Sequence, residues 1–272
     1  MIVLPAFATQ PLFAPLLPLL VSLIDGGEPP DCAMLSVLAA ERGILSGSGA
    51  PLRFVVPGAS GMSYEERAYW LGEVETRPGH WHDCFNALTW LSYPLTKAAL
   101  NARHHHALHN ARVPTPGRRG PLRDALTQFD ECGVAVVSTD LELWEGICAH
   151  RWKEVFWTRR AATQRSLRVF LIGHASFDML RTPHLGLCGK ALFLHVDDAW
   201  LAQDLPVQCA DVDLRLSQRF AGDLQAYARP RDFHPLPLLG IPGATPDNEY
   251  PDYYDDTRQF RALRRVAAEP TA

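Results

Sequence analysis

No two cysteines in this 272-residue chain form a C-x-x-C pair, and that absence removes whole classes of function first. Cys32, Cys84, Cys132, Cys148, Cys188 and Cys209 are spread singly at irregular spacing, so neither a disulfide framework nor a paired-thiol metal or redox site is expected, and the pattern fits a reduced cytoplasmic protein. An excess of positive charge is lacking as well. With 26 Lys and Arg against 30 Asp and Glu, a net charge of -4 and a pI near 6.2, the surface as a whole does not attract nucleic acid or anionic membrane. Residues 1–24 hold no charged side chain, yet Pro5, Pro11, Pro15 and Pro18 interrupt the run and no Lys or Arg opens it. A signal peptide or membrane span is therefore not expected, and residues 1–30 read as a proline-punctuated arm with a short helix lying on the core. No internal repeat, no low-complexity tract, no HExxH and no GxSxG elbow occurs; GHASF at Gly173 does not make Ser176 a nucleophile.

What is present describes an ordinary globular protein. Apolar residues make up 47% and charged residues 21%, enough to bury a core without staples, and residues 1–272 fit a single domain near the size at which cores stop growing. Asp31 opens a helix to Arg42, with Met34, Leu35 and Leu38 on its apolar face and Gly43 at its end. PLRFVV at residues 51–56 reads as a strand, and Ser63 with Glu66 forms a capping box for a helix to Leu71. A helix from about His80 should break at Pro94, which cannot donate to Trp90, and resume to His109. Residues 111–120 form a Gly/Pro loop, and Pro121 suits the first turn of a helix with Leu122, Ala125, Leu126 and Phe129 on one face.

Apolar strands are expected at residues 134–137, 167–172 and 191–196, with helical stretches at 141–148, 152–162, up to Leu180, and 212–220. Residues 229–256 are rich in Pro, Gly, Asp and Tyr, but the PLPLLGIPG run is too apolar for a free linker and predicts an ordered wrapping segment. Helical turns carrying Arg258, Arg261, Arg264 and Arg265 would follow. The sum is a mixed α/β, helix-rich fold: a small sheet of about three to four strands covered by helices.

Residues 75–101 organise the candidate chemistry. At 100° per residue His82, Asn86, Thr89 and Tyr93 share one face with Asp83 and Trp90 beside them, while Trp81, Cys84, Phe85, Leu88 and Leu91 share the other. On the later helix Arg123, Asp124, Thr127, Asp130 and Glu131 form a second polar stripe, and Gly173 and His174 sit at a strand end, where active-site residues often lie in α/β sheets. If these converge, imidazoles and carboxylates supply the lone pairs and the negative charge that a divalent metal needs. His82, Asp83, Asp124 and Glu131 are the candidate ligands, His174 a general base or further ligand, and Arg123 an anion-orienting group, in a metal-assisted hydrolase acting on an unidentified small molecule. Asn86, Thr127, Asp130, Lys97 and Asn101 are the supporting residues. The alternative is a non-catalytic protein that binds a small molecule or another protein and in which the same groups form a structural hydrogen-bond network. His105 and His109, four apart beside His104 and His106, could chelate a metal on a helix surface, and Arg112, Arg118, Arg119 and Arg123 could grip a phosphate, although a solvated basic loop accounts for them as well.

Several motifs in order resemble a bacterial family, domain of unknown function 3025: LRFV from Leu52, YEERAYWLGEVETR from Tyr64, HDCFNALTWLSYPLTKAALN from His82, RGPLRDALTQFDECG from Arg119, GHASFDML from Gly173 and PLPLLGIPG from Pro235. The family brings no assigned activity, cofactor or catalytic residue. The resemblance adds weight to His82, Asp83, Asn86, Lys97, Asn101, Arg123, Asp124, Asp130, Glu131, Gly173 and His174, which fall in its motifs. After IPG this chain carries Ala244 and Thr245 where similar proteins place aromatic residues, which predicts a more open pocket if that segment walls one.

Overall fold

The apolar run after Gly133 becomes the centre of the molecule. A computed structural model describes residues 4–24, 27–58, 61–109, 120–222 and 226–263. The chain is a helix-rich mixed α/β fold with one four-stranded and one two-stranded sheet. The N-terminal arm makes two 3-10 segments, Ala6–Thr9 and Pro11–Leu16, and helix α1 (Leu17–Leu23). Its Phe7 and Phe13 lie 5.2 Å from the rings of Trp81 and Phe177 respectively, so the arm is part of the core. In α2 (Cys32–Glu41) the Asp31 carboxylate accepts from the Met34 N–H at 2.8 Å. Leu35 and Ala39 face inward, while Met34, expected on the apolar face, is exposed.

β1 (Arg53–Val55), α3 (Tyr64–Leu71) and β2 (Glu73–Glu75) form a small parallel β-α-β unit, with the Ser63–Glu66 capping box in place. β2 was not expected. Two glutamates in three residues do not read as a strand, but Arg67 pairs with both Glu73 and Glu75 and Arg53 pairs with Glu73 across the pair.

α4 (Trp81–Ser92) and α5 (Pro94–His109) meet at the expected proline break. The α5 N-terminus is capped from a distance: Asp213 accepts from the Leu95 N–H at 3.0 Å and the Thr96 N–H at 2.7 Å. Then come α6 (Pro121–Cys132), β3 (Gly133–Ser138), α7 (Leu141–Cys148), a π-helical segment at Glu154–Thr158, α8 (Arg160–Ser166), β4 (Leu167–Leu171), α9 (His174–Leu180), β5 (Cys188–His195), α10 (Asp198–Leu201), α11 (Leu205–Ala221) and β6 (His234–Pro237).

The larger sheet has the order β4-β3-β5-β6; β3 runs antiparallel to β4 and parallel to β5, and β6 antiparallel to β5. Every residue of β3 is buried, as a central strand covered on both faces requires. Its alternate residues serve two cores. Val134 and Val136 join the arm, α4 and α7 on one face, while Ala135 and Val137 join Ala125, Leu126 and Phe129 of α6 and Val212, Leu216 and Phe220 of α11 on the other.

The wrapping segment contributes more than cover. Pro235 and Pro237, which lack an N–H, are accommodated because β6 is an edge strand. Buried Asn248 then ties the segment down, donating to the Leu239 and Ile241 carbonyls at 3.0 and 2.7 Å. Residues 257–260 form a turn and 261–263 no regular structure, in place of the expected helical turns, and Arg264 and Arg265 lie outside the described residues, as do Arg112, Arg118 and Arg119. Among the described residues no helix is long and apolar enough to cross a membrane.

Asp213→Ala should leave two N–H groups at the start of α5 without acceptors. A loss of about 1–3 kcal/mol in urea unfolding is expected, with Asp213→Asn retaining part of it.

Candidate functional site

Antiparallel pairing of β3 with β4 places the end of α6 beside the start of α9. The Ile172 and Gly173 N–H groups both donate to the Gly133 carbonyl at 2.9 Å, closing the two chain segments on each other. Gly173 is needed for space: a Cβ there would collide with backbone atoms of Glu131 and Cys132. The last turn of α6 therefore presents Asp130 and Glu131 to His174, the first residue of α9. α4 packs against α9 and brings His82 to the same point. The three elements frame a pocket of about 540 Å³ whose lining includes Tyr64, Glu65, Arg77, His82, Asn86, Arg123, Thr127, Asp130, Glu131 and His174.

Within it His82, Glu131 and His174 form a three-donor cluster whose ligand atoms all lie within 4.8 Å of one another. Glu131 Oε2 is 3.5 Å from His174 Nε2 and 4.0 Å from His82 Nε2. Two ligands on a tetrahedral zinc with bonds of about 2.1 Å stand about 3.4 Å apart, so modest side-chain movement would close the cluster on an ion. His174 is 5% exposed, and burial, helped by the nearby Lys97 and His82 charges, pushes its imidazole down to about 3 against the opposing pull of Asp130. It is neutral at pH 7 and offers a lone pair.

Behind His174 runs a buried polar relay. Its Nδ1 faces Asp130 Oδ2 at 3.6 Å. The Lys97 ammonium, 3% exposed, pairs with Asp130 and donates to Asn86 Oδ1 at 2.9 Å, and Asn86 Nδ2 donates to the Tyr64 hydroxyl at 2.8 Å. Burial alone would raise the Asp130 carboxyl; the Lys97 charge, with His174 and the Lys97 hydrogen bond, outweighs it and holds Asp130 below its usual range. His174 Nδ1 is buried without a hydrogen-bond partner, and a closure of a few tenths of an ångström onto Asp130 would make the carboxylate–histidine contact that fixes tautomer and ring orientation in metal sites.

The expected set is thus only partly brought together. His82, Glu131 and His174 converge, and Arg123, Asn86, Thr127 and Asp130 share the pocket. Asp83 lines it too, but its oxygens accept from the Arg77 backbone N–H, Nε and a terminal guanidinium nitrogen, each at 2.8 Å, a fork that fixes the 77–83 turn, and Asp83 is not among the three clustered donors. Those bonds outweigh burial and keep its carboxyl low. Asp124 lies outside the lining and is not among the three clustered donors.

Thr89 and Tyr93 are fully buried and do not reach the pocket; Thr89 donates to the Asn86 carbonyl. Asn101 joins α5 to the Glu65 carbonyl and the Gly47 N–H. No residue of 229–256 lines the pocket, so Ala244 and Thr245 do not open it. Of the second histidine cluster, His105 stacks on Tyr69 and His109 Nδ1 contacts the His105 carbonyl, and among the described residues no third donor joins them. Burial raises every cysteine thiol, so none of the six is activated, and Ser176 is fully buried.

Glu65 escaped the sequence reading because it sits inside the capping-box motif, where acidic residues suit a helix first turn. In the fold its side chain, 23% exposed, enters the pocket beside His104, 3.9 Å away, and Asn101. Burial and the Asp130 charge raise its carboxyl to about 7, against Lys97, Asn101 and Arg123. A carboxyl half-protonated at neutral pH can carry a proton in either direction.

The family described as Protein of unknown function (DUF3025) matches residues 52–264, a span that contains every residue of the pocket. No curated protein and no solved structure matches the chain.

Two outcomes are expected. Lys97→Met leaves Asp130 buried and uncompensated, so unfolding free energy should fall by about 3 kcal/mol, and adding Asp130→Asn should restore much of it in a double-mutant cycle. For Glu65 the folded carboxyl keeps its proton until about pH 7 while the unfolded one loses it near 4.5. The native state thus binds the extra proton, and stability falls as pH rises through that window. Urea unfolding at pH 5 and pH 8 should show Glu65→Gln gaining on the wild type as pH rises, by at most about 3 kcal/mol and less because part of the side chain meets solvent.

Proposed function

We propose a function for this chain, which belongs to the DUF3025 family, from the chemistry of its pocket: metal-assisted hydrolysis at a divalent ion held by His82, Glu131 and His174. The observation that carries this reading is the convergence of two imidazoles and one carboxylate from three separate elements, α4, α6 and α9, within 4.8 Å in an open pocket. Two histidines and a glutamate leave coordination positions for water and substrate, and a divalent ion so held lowers the pKa of bound water toward neutrality. Asp130 faces His174, Lys97, itself bonded to Asn86, holds Asp130, and Glu65 supplies a carboxyl poised to pass a proton. The six separate thiols support a reducing, cytoplasmic setting.

The test is metal content. Untagged protein should carry stoichiometric zinc by elemental mass spectrometry, His82→Ala and Glu131→Gln should lose it, and Asp124→Asn should keep it. Thermal melts of stripped protein with zinc, manganese or magnesium give the second readout, since an ion bound only by the folded state adds about 2.7 kcal/mol at a hundredfold excess over its dissociation constant. Stoichiometric iron in place of zinc would overturn hydrolysis in favour of oxygen chemistry, which uses the same donor set. No metal and no shift would return the cluster to a structural network in a binding protein.

A further inference from the structure

Among the described residues, Arg123 is a cation of the pocket that no carboxylate pairs with. Arg77 is forked onto Asp83, and Lys97, behind the wall, is bonded to Asp130 and Asn86. Arg123 Nε is buried without a hydrogen-bond partner, and no carboxylate of the described residues stands within ion-pair distance of its guanidinium. Glu65 senses its charge only through space. A guanidinium held in a partly dry pocket with no counter-ion is costly unless an anion arrives to match it, and its planar fork suits a carboxylate or phosphate.

Its place on α6 sets the geometry. Arg123, Thr127 and Glu131 follow one another at four-residue steps along the face that lines the pocket. Eight residues separate the arginine backbone from the glutamate backbone by about 12 Å along the helix axis, with the Thr127 hydroxyl between them. A volume of about 540 Å³ is in the range of small-molecule sites and leaves room for a ligand spanning both ends.

We infer that the pocket takes a small anionic substrate, with its carboxylate or phosphate group received by Arg123 and its reacting bond placed at His82, Glu131 and His174. The second half of that statement rests on the hydrolase reading; the first does not. The charged group is thereby bound away from the metal ligands, so Arg123 supplies substrate binding and orientation, and the ion cluster is left to the bond that reacts.

Titration calorimetry with inorganic phosphate and, separately, acetate tests this on full-length wild type, Arg123→Gln and Arg123→Lys, each stripped of metal and each zinc-loaded, and on His82→Ala stripped of metal and compared with stripped wild type. One of the two anions should bind at millimolar concentration or better, and which one names the substrate's charged group. Arg123→Gln should weaken it at least tenfold with zinc content unchanged, Arg123→Lys should retain part of it, and His82→Ala should bind it like the wild type. Equal affinity in wild type and Arg123→Gln overturns the inference. So does binding that vanishes in His82→Ala but survives in Arg123→Gln, which would put the anion at the donor cluster. Binding of neither anion also overturns it. If no variant takes up zinc while anion binding still follows Arg123, the hydrolase reading fails and the anion site stands.

Discussion

The Lys97–Asp130 pair is the constraint on which the site depends. The Lys97 side chain, 3% exposed, bonds to Asp130 and to Asn86, the partners that burying an ammonium requires. Those two partners reach, in turn, His174 and Tyr64. One buried ammonium therefore ties α3, α4, α5, α6 and α9 into a single arrangement. Such pairs contribute little net stability over an apolar replacement, but they penalise any packing that separates the partners. The residues that hold the histidine in place are thereby the ones that hold the helices in register.

Charge matching explains the pocket's composition. Five carboxylates line it, which by itself would repel an anion. Asp83 is neutralised by Arg77, Asp130 by Lys97 and Glu75 by Arg67, and Glu65 keeps its proton up to about pH 7. Glu131 stands beside the two imidazoles His82 and His174. Among the described residues Arg123 has no ion-pair partner, and it is there that the proposed anion would be received.

The main sheet serves the site by geometry. Antiparallel pairing of β3 and β4 brings the end of one helix to the beginning of another, and Gly173 allows their backbones to touch. Neither strand lends a side chain to the pocket. Both are apolar because their work is to set the position of α6 against α9, and a core packed on both faces of β3 keeps that position rigid.

Much of this was legible in order along the chain. Asp31 and the Ser63–Glu66 box mark helix starts, Pro94 breaks the α4–α5 run, the apolar stripe of α6 follows from a 3.6-residue periodicity, and β3, β4 and β5 follow from short continuous apolar runs. These depend on neighbours within a few residues, which is why sequence determined them, along with the pool of side chains able to do chemistry. It did not determine β2 or β6, whose short polar or proline-bearing segments become strands only because a partner edge awaits them. Nor did it decide among the carboxylates. Asp124 and Glu131 are seven apart and share a face of one helix, yet only the second meets His82 and His174; Asp83 is adjacent to His82 yet belongs to Arg77. Glu65 looked like part of a cap and proved to line the pocket. Those choices were made by tertiary structure alone, because whether a carboxylate is buried, paired or left facing an imidazole depends on chain segments tens of residues away.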